Sequence, residues 1–312
     1  MRALLHAGID RLAMWVEDRK RHDAQPYAPC PPLPLDCFGP VGSLPRPPRA
    51  PERWSAPSPR PVRAGDRMAI HAVASRAPFR GTVVLVPPWK IEAASLLSGY
   101  TDLLARAGFD VWLLVPPEHM ERAAPGTPSG HGFASLDLVR FRALFEQLVT
   151  EIRVALTMAA SRGSVGLVAL SLGALAASIA LPAAEEVAFA TLIAPPADLA
   201  SVVCDTPIGR RYRRLAERAG SKWPDRDAIR SALAPFAPGG RSRPSCRTLI
   251  AVGRHDRIAL PAGAVALARA WRVEPRVYAR GHLTLLFCCR ALRDDLGRFL
   301  SLDGAPARRW AR

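Results

Sequence analysis

An uncharged stretch over residues 163–184 limits the folds that this chain can adopt. Within it an apolar run ends at Leu170, Ser171 follows, and small helix-forming residues continue after Leu172. An apolar run of strand length that changes to such residues predicts a buried strand, a sharp turn and a helix. Ser171 is expected at the turn, where its hydroxyl would stand above the end of the strand.

Small residues flank Ser171 at the two positions where a sharp turn needs them. Ala169 lies two residues before the serine and Gly173 lies two residues after it, which relieves the crowding of a strained turn. The pattern resembles the nucleophile elbow of the α/β-hydrolase superfamily, Gly-x-Ser-x-Gly, with Ala169 in place of the first glycine. This resemblance implies that Ser171 is a catalytic nucleophile.

Two other interpretations of the same stretch are open at this point. Residues 163–184 are long enough to cross a bilayer, for which about 20 apolar residues suffice, although Ser164, Ser178 and Pro182 make a poor span. Alternatively, Ser171 has no catalytic role and belongs to an ordinary strand–helix unit. The nucleophile interpretation therefore depends on partners elsewhere in the chain.

The chain is strongly basic, with a formal net charge of +16. Such a charge is compatible with nucleic acid or an anionic membrane surface as a partner. However, lysine accounts for three of the 43 basic residues, and the arginines are dispersed along the chain. No zinc-finger spacing or repeat of aromatic and basic residues accompanies them. We therefore expect no nucleic-acid partner, and the arginine bias is typical of a GC-rich genome.

The cysteines predict free thiols rather than a disulfide framework, because they are few and scattered in a chain of 312 residues. They lie at positions 30, 37, 204, 246, 288 and 289. The adjacent Cys288 and Cys289 cannot face the same side of a helix and lack ligand spacing to a histidine, so we expect packing and not metal binding. Residues 1–10 do not have the pattern of a signal peptide. These features predict a cytoplasmic protein without a metal or other cofactor.

The first 66 residues are expected to form an N-terminal region that precedes the main domain. Apolar residues recur at helical spacing over residues 4–21, which predicts an amphipathic helix. We expect this helix to pack on its own domain, with membrane contact as the alternative. Over residues 27–61 the prolines are too dense for a helix or a central strand and predict an extended arm.

From residue 67 onward, apolar runs of strand length alternate with helical patterns. This alternation predicts an α/β domain over residues 67–312, with a mostly parallel central sheet and helices on both faces. The predicted strands are residues 68–75 at a sheet edge, 81–86, 109–115, 165–170, 187–193, 248–253 and 276–278. The predicted helices are residues 93–107, 134–161, the segment after Ser171, 262–271 and 283–300.

Residues 195–244 contain no predicted strand, and we interpret residues 197–244 as a small helical cap inserted above the site. Trp223, Leu233 and Phe236 are available there to line an acyl pocket. The basic run over residues 210–214 is expected to be a solvated helix face, with attraction of an anionic substrate as the alternative.

A serine hydroxyl needs a base to take its proton and a third group to orient that base. Asp256 and His282 each follow a predicted strand. Because the carboxyl ends of parallel strands meet at one edge of a sheet, both side chains are expected beside Ser171. The alternatives are a carboxylate paired with a neighbouring arginine and a histidine that caps a helix. Asp198 follows another strand and is the fallback acid.

The order Ser171, Asp256, His282 is the order of the catalytic triad in the α/β-hydrolase fold, which this chain resembles over residues 68–300. The resemblance implies a metal-free serine hydrolase that cleaves a carboxylic ester, thioester or lactone through an acyl-enzyme. Its substrate would be a small or lipid-like ester. One alternative is an acyltransferase on the same fold, and another is a non-catalytic binding protein. The oligomeric state is not predicted.

The resemblance also implies an oxyanion hole of two backbone N–H groups. One belongs to Leu172, the residue after the nucleophile. The other is expected after the first buried strand, where two prolines lack an N–H and leave Trp89 as the donor. The segment Val-Pro-Pro-Trp at residues 86–89 is similar to one in bacterial polyhydroxyalkanoate synthases, which are relatives of this fold. Those enzymes have a cysteine where this chain has Ser171, so polyester synthesis is not implied.

Overall fold

The fold is organised on an eight-stranded sheet, seen in a computed structural model that describes residues 8–10 and 24–301. Its strands are β1 (Glu52–Pro57), β2 (Arg67–Val73), β3 (Gly81–Val86), β4 (Phe109–Val115), β5 (Val165–Leu170), β6 (Val187–Ile193), β7 (Arg247–Gly253) and β8 (Arg276–Tyr278). They lie in the order β1-β2-β4-β3-β5-β6-β7-β8. Strand β2 is antiparallel to both neighbours, and the other neighbouring pairs are parallel. The prediction of a mostly parallel sheet is confirmed.

The helices of the described residues connect these strands. The α-helices are α1 (Ser98–Arg106), α2 (Leu138–Ala160), α3 (Leu172–Ala180), α4 (Leu199–Asp205), α5 (Pro207–Arg218), α6 (Arg226–Leu233), α7 (Pro261–Ala270), α8 (His282–Cys288) and α9 (Arg290–Ser301). Short 3-10 helices cover Ala94–Leu97, Met120–Arg122, Leu181–Ala183, Ala234–Phe236 and Pro238–Gly240. Helices α4 to α6 lie between β6 and β7, where the sequence predicts a helical cap without a strand.

Helices cover both faces of the sheet because its central strands are apolar on both sides. In β3, Val84 and Val86 join the core under α2, α3 and α7. Val83 and Leu85 point to the other face and join the core under α1, α8 and α9. Side chains alternate between the faces of a strand, so a strand buried on both faces is a continuous apolar run in the sequence. For this reason β3, β4 and β6 have the predicted bounds.

The edge of the sheet differs from the prediction. Strand β1 lies inside the segment predicted as an extended arm and pairs with β2, so β2 is an inner strand and not the edge. Alternate residues of β1, Trp54 and Ala56, are buried. Pro51 precedes the strand and Pro57 ends it, which an edge strand tolerates because it has one unpaired side. The proline density therefore concealed a strand, and the division of the chain at residue 66 stays a proposal.

The strand–turn–helix prediction for residues 163–184 is confirmed, whereas one predicted helix is wrong in detail. The uncharged stretch over residues 163–184 is divided between β5 and α3, which excludes the interpretation as a bilayer span. Among the described helices none combines the length and apolar character that a membrane crossing needs. The predicted helix 283–300 is instead two helices, α8 and α9, which meet at Cys289 in an extended conformation. Cys289 is buried and Cys288 is exposed, and all six thiols are free.

The predicted amphipathic helix over residues 4–21 lies largely outside the described residues. Residues 8–10 are described and are helical. The carboxylate of Asp10, the last of these three residues, reaches the N-terminus of α8. This contact places part of the N-terminal region against the edge of the sheet where β5, β7 and β8 end.

Candidate active site

Ser171 forms the turn between β5 and α3 and has a strained backbone. Its φ and ψ angles are 50° and −115°, outside the regions that non-glycine residues favour. Its N–H donates to the carbonyl of Ile193 at the end of the neighbouring strand β6, and its carbonyl accepts from Leu175 in the first turn of α3. These two hydrogen bonds hold the turn between strand and helix. Ser171 thus has the elbow conformation that the sequence predicts.

Gly173 explains why a small residue must follow Ser171 by two positions. A Cβ on Gly173 would lie 2.6 Å from the carbonyl oxygens of both Val86 and Pro87. The start of α3 therefore packs directly on the backbone that leaves β3. Ala169, the small residue two positions before the serine, is fully buried.

His282 contacts Ser171 through one ring nitrogen and Asp256 through the other. The His282 Nε2 lies 2.9 Å from the Ser171 Oγ, and its Nδ1 lies 2.7 Å from the Asp256 Oδ2. A carboxylate only accepts hydrogen bonds, so Nδ1 carries the proton and the bare Nε2 accepts from the serine hydroxyl. The structure thus brings the three predicted side chains into one hydrogen-bonded chain. His282 is the first residue of α8 and not a loop residue as predicted.

Asp256 is held by its own loop. Its Oδ1 accepts from the backbone N–H groups of Ile258 and Ala259, each at 2.8 Å, and the residue is 3% exposed. The N–H of His255 donates to the carbonyl of Arg280, which joins the loop after β7 to the loop before His282. The Asp256 carboxylate is therefore fixed by backbone groups and the imidazole, and not by the neighbouring arginines considered above.

Two carboxylates raise the pKa of His282. Burial on its own lowers the pKa of this imidazole, but the charge and hydrogen bond of Asp256, together with the charge of Asp10, raise it above 6.5. The raised pKa makes His282 a stronger base toward the serine proton. It also means that the charged form, which arises when the proton is taken, is stabilised within the site.

Asp10 was not identified as a site residue from the sequence. Its two oxygens accept from the N–H groups of His282 and Leu283, at 2.7 and 3.1 Å, and it is 1% exposed. It therefore caps the first turn of α8 from a distant part of the chain. Burial raises the pKa of Asp10, and the two hydrogen bonds oppose that effect. In the sequence, Asp10 is an acidic residue within a helical pattern, and no local feature indicates its contact with α8.

The two expected oxyanion donors lie on either side of the contact between α3 and the loop after β3. The N–H of Leu172 is the first of α3 and has no acceptor within its own helix. Trp89 lies in the turn after Pro87 and Pro88, and its ring N–H donates to the carbonyl of Gly130 at 2.7 Å. Both residues and Ser171 line the same cavity. Their role as oxyanion donors is a proposal.

Asp198, the fallback acid, has other partners. It caps α4, where its Oδ1 accepts from the N–H of Ser201 and its Oδ2 accepts from the hydroxyl of the same residue, at 3.0 and 2.6 Å. The hydrogen-bond partner of the His282 Nδ1 is Asp256.

An apolar cavity of about 150 Å³ opens beside Ser171. The cap contributes much of its lining, including Leu199, Tyr212, Trp223 and Leu233, and Trp89 contributes from the loop after β3. Trp223 and Leu233 are therefore at the predicted place. Phe236 is not a lining residue.

Phe236 and the basic run over residues 210–214 are the other parts of the cap for which the sequence makes a prediction. Phe236 is buried against Phe141 and Phe145, with ring centroids 5.1 and 5.2 Å apart. In the run 210–214, three arginines are exposed, as expected for a solvated helix face, but Arg211 is buried.

Within residues 8–10 and 24–301, no three histidine, cysteine or acidic side chains are grouped to hold a metal ion.

No protein-family model and no curated protein sequence matches the chain. Solved structures do match. An esterase from Pyrococcus furiosus is 14% identical with a TM-score of 0.55, over 80% of this chain and 91% of the esterase. An acetyl xylan esterase from Paenibacillus sp. R4 is 14% identical with a TM-score of 0.54, over 80% and 87% of the two chains. A monoacylglycerol lipase from Paleococcus ferrophilus is 17% identical with a TM-score of 0.50, over 74% and 97%.

These similarities and the strand order define the class. The chain has the α/β-hydrolase fold, as the resemblance in its sequence implies. At such low identity the similarity concerns the fold.

Proposed function

We propose that this protein is a serine hydrolase that cleaves a carboxylic ester through an acyl-enzyme. The observation that carries the proposal is the hydrogen-bonded chain from Ser171 through His282 to Asp256, with the serine at a strained turn beside an apolar cavity. Each group has the partner that its role requires. The similarity to two esterases and a lipase is consistent with this chemistry.

The first half of the reaction forms the acyl-enzyme. The Ser171 Oγ attacks the ester carbonyl carbon while the His282 Nε2 takes the hydroxyl proton, and Asp256 stabilises the imidazolium. The carbonyl oxygen becomes an oxyanion, which accepts from the N–H groups of Leu172 and Trp89. The tetrahedral intermediate then collapses, the bond to the alcohol oxygen breaks, and His282 returns the proton to the departing alcohol.

The second half releases the acid. A water molecule gives a proton to the His282 Nε2 and attacks the acyl carbon, which forms a second oxyanion in the same hole. The bond to the Ser171 Oγ breaks and the serine recovers its proton from His282. The net reaction consumes the ester and one water and yields an acid and an alcohol, with no oxidant or cofactor needed.

The cavity indicates the kind of acyl group. An engineered apolar cavity of about 150 Å³ binds benzene, and the cavity beside Ser171 has about that volume and an apolar lining. We therefore expect an apolar acyl group of moderate size, such as a benzoyl group or a chain of about six carbons. The cap over residues 197–244 would determine this preference, since it supplies Trp223 and Leu233.

The test combines covalent labelling with a series of chromogenic esters. A fluorophosphonate should label the purified protein at Ser171, and Ser171→Ala should abolish labelling and lower kcat by about 10⁶-fold while leaving the fold intact. Ser178→Ala is the matched control, because that serine donates to the carbonyl of Leu175 inside α3 and is fully buried. We expect the control to be labelled and active.

The ester series separates the alternatives. Activity should rise from acetyl to medium-chain or benzoyl esters and fall for long chains. Full activity in Ser171→Ala, or a folded wild-type protein without labelling and turnover, would refute the proposal. Transfer of the acyl group to an added alcohol or thiol in preference to water would identify an acyltransferase instead.

A further inference from the structure

His119 is a fully buried histidine near the site that has no part in the reaction described above. It lies in the loop after β4, with its ring against that of Phe133. Its Nδ1 is 2.8 Å from the carbonyl oxygen of Pro117, and its Nε2 is 3.2 Å from the backbone nitrogen of Lys90. Lys90 is the residue after Trp89, the expected oxyanion donor.

The two partners determine the protonation state of His119. A backbone N–H can only donate, so the Nε2 must be bare to accept from Lys90. A carbonyl can only accept, so the Nδ1 must carry the proton that it donates to Pro117. The imidazole is therefore a neutral, fixed acceptor. Burial supports this state, because it lowers the pKa of His119 to about 4.

Trp89 is held from two directions by the loop that carries His119. Its ring N–H donates to the carbonyl of Gly130, and the next peptide donates to the His119 ring. The turn is strained, since Lys90 has a φ of 60°. A non-glycine residue keeps such a conformation only where its surroundings enforce it. The direction of the Trp89 backbone therefore depends on these contacts.

Gly130 allows the loop to approach this closely. It has a φ of 70°, and a Cβ there would lie 2.6 Å from the His119 Nε2 and 3.0 Å from the Lys90 nitrogen. A side chain at this position would therefore separate His119 from the turn. The hydroxyl of Ser129 donates to the carbonyl of Ile91 and adds a further tie between the loop and the turn.

We propose that His119 is a positioning residue of the oxyanion hole, whose Nε2 holds the Lys90 N–H so that the Trp89 N–H points to the developing oxyanion. The proposal rests on the serine-hydrolase function proposed above. Among the described residues, His119 is neither a lining residue of the cavity nor a partner in the hydrogen bonds of the triad. Its contribution is made in the transition state, because an oxyanion exists only there and in the tetrahedral intermediates.

The test uses three variants that separate the two nitrogens. His119→Leu removes both hydrogen bonds, His119→Gln places an acceptor near the position of the Nε2, and His119→Asn places a donor near the position of the Nδ1. We expect His119→Leu and His119→Asn to lower kcat by about 10- to 100-fold, less than the loss of a whole donor. KM should change little, and His119→Gln should recover most of the activity.

The affinity for a trifluoromethyl ketone provides a second readout. This inhibitor forms a tetrahedral adduct with the serine and places an oxyanion in the hole, so its affinity should fall in parallel with kcat. A merely structural role for His119 would not make the ketone affinity fall in parallel with kcat. His71→Leu is the matched control, because the His71 ring pairs with Glu121 of the same loop and His71 lies on β2, which β4 separates from β3. It should retain wild-type kcat and ketone affinity.

The outcomes distinguish this inference from the proposed function. If His119→Leu does not fold, Gly130→Ala provides the same test, and we expect the same losses of kcat and of ketone affinity. Any of three results would overturn the inference: wild-type ketone affinity in the folded variants, rescue by Asn rather than Gln, or a rise in KM at constant kcat. Labelling of Ser171 would still support the hydrolase in each case. The nitrogen NMR signals of His119 should show a proton on Nδ1 and no titration between about pH 5 and 8. Titration in that range would also overturn it.

Discussion

Replacing Gly173 by alanine tests whether the elbow and the oxyanion loop form one rigid unit. Gly173 is the second residue of α3, and a Cβ there would lie 2.6 Å from the carbonyl oxygens of Val86 and Pro87. Both oxygens belong to backbone and cannot swing away as the end of a side chain can. The helix start and the loop that carries Trp89 must therefore move apart.

The distances set the size of the effect. A carbon–oxygen contact relaxes at about 3.3 Å or more, so the two segments must separate by roughly 0.7 Å. A displacement of about 1 Å in a catalytic group can lower the rate about 100-fold, so we expect kcat to fall about 10- to 100-fold. Overpacking costs about 1–3 kcal/mol, and alanine regains up to about 1 kcal/mol of helix propensity. The net loss in the free energy of unfolding should be at most about 3 kcal/mol.

The assay measures kcat on an activated ester and the free energy of unfolding in urea. Gly297→Ala is the matched control, because Gly297 lies within α9 and a Cβ there would have nothing within 4 Å. This control should keep wild-type kcat and gain up to about 1 kcal/mol of stability. A Gly173→Ala protein with wild-type kcat and a comparable gain in stability would refute the reasoning.

The remaining predictions concern the carboxylates around His282. Asp256→Asn should lower kcat at least about 10³-fold, because the amide favours the wrong tautomer of the imidazole, whereas Asp198→Asn should have a far smaller effect since Asp198 caps α4. The general base must be neutral and the pKa of His282 lies above 6.5, so kcat/KM should decline toward acid with a midpoint above pH 6.5. Asp10→Asn keeps an acceptor for the α8 amides but removes a negative charge, and this midpoint should move to lower pH.

Two results would contradict these predictions. If Asp198→Asn lost more activity than Asp256→Asn, the orienting acid would have been assigned to the wrong residue. If the midpoint of kcat/KM against pH lay below 6.5, or did not move in Asp10→Asn, the two carboxylates would not raise the pKa of His282 as the structure indicates.

The parallel core of the sheet could be predicted from the sequence alone. Strands buried on both faces are continuous apolar runs, and β3, β4 and β6 begin and end at the predicted residues for that reason. The meeting of Ser171, Asp256 and His282 also followed from the order of elements. Each residue follows its own parallel strand, and the carboxyl ends of such strands share one edge of the sheet.

Features that depend on contacts between distant segments could not be predicted in this way. Strand β1 forms because the exposed edge of β2 offers it a partner, while its own sequence is rich in proline at both ends. Asp10 reaches the N-terminus of α8, which lies 272 residues away in the chain. Phe236 has the same apolar character as Trp223, yet it packs on α2 while Trp223 lines the cavity.

The apolar runs, the small residues around Ser171 and the order of the three side chains can be read from the chain, because they depend on local periodicity and sterics. Three features depend on the tertiary structure. They are the protonation state of His119, the hydrogen bonds that hold the turn at Trp89 and the position of the Asp10 carboxylate beside His282. Those features require donors and acceptors from separate loops to meet within about 3 Å. No local pattern encodes such a meeting, since it results from the way the loops pack above the end of the sheet.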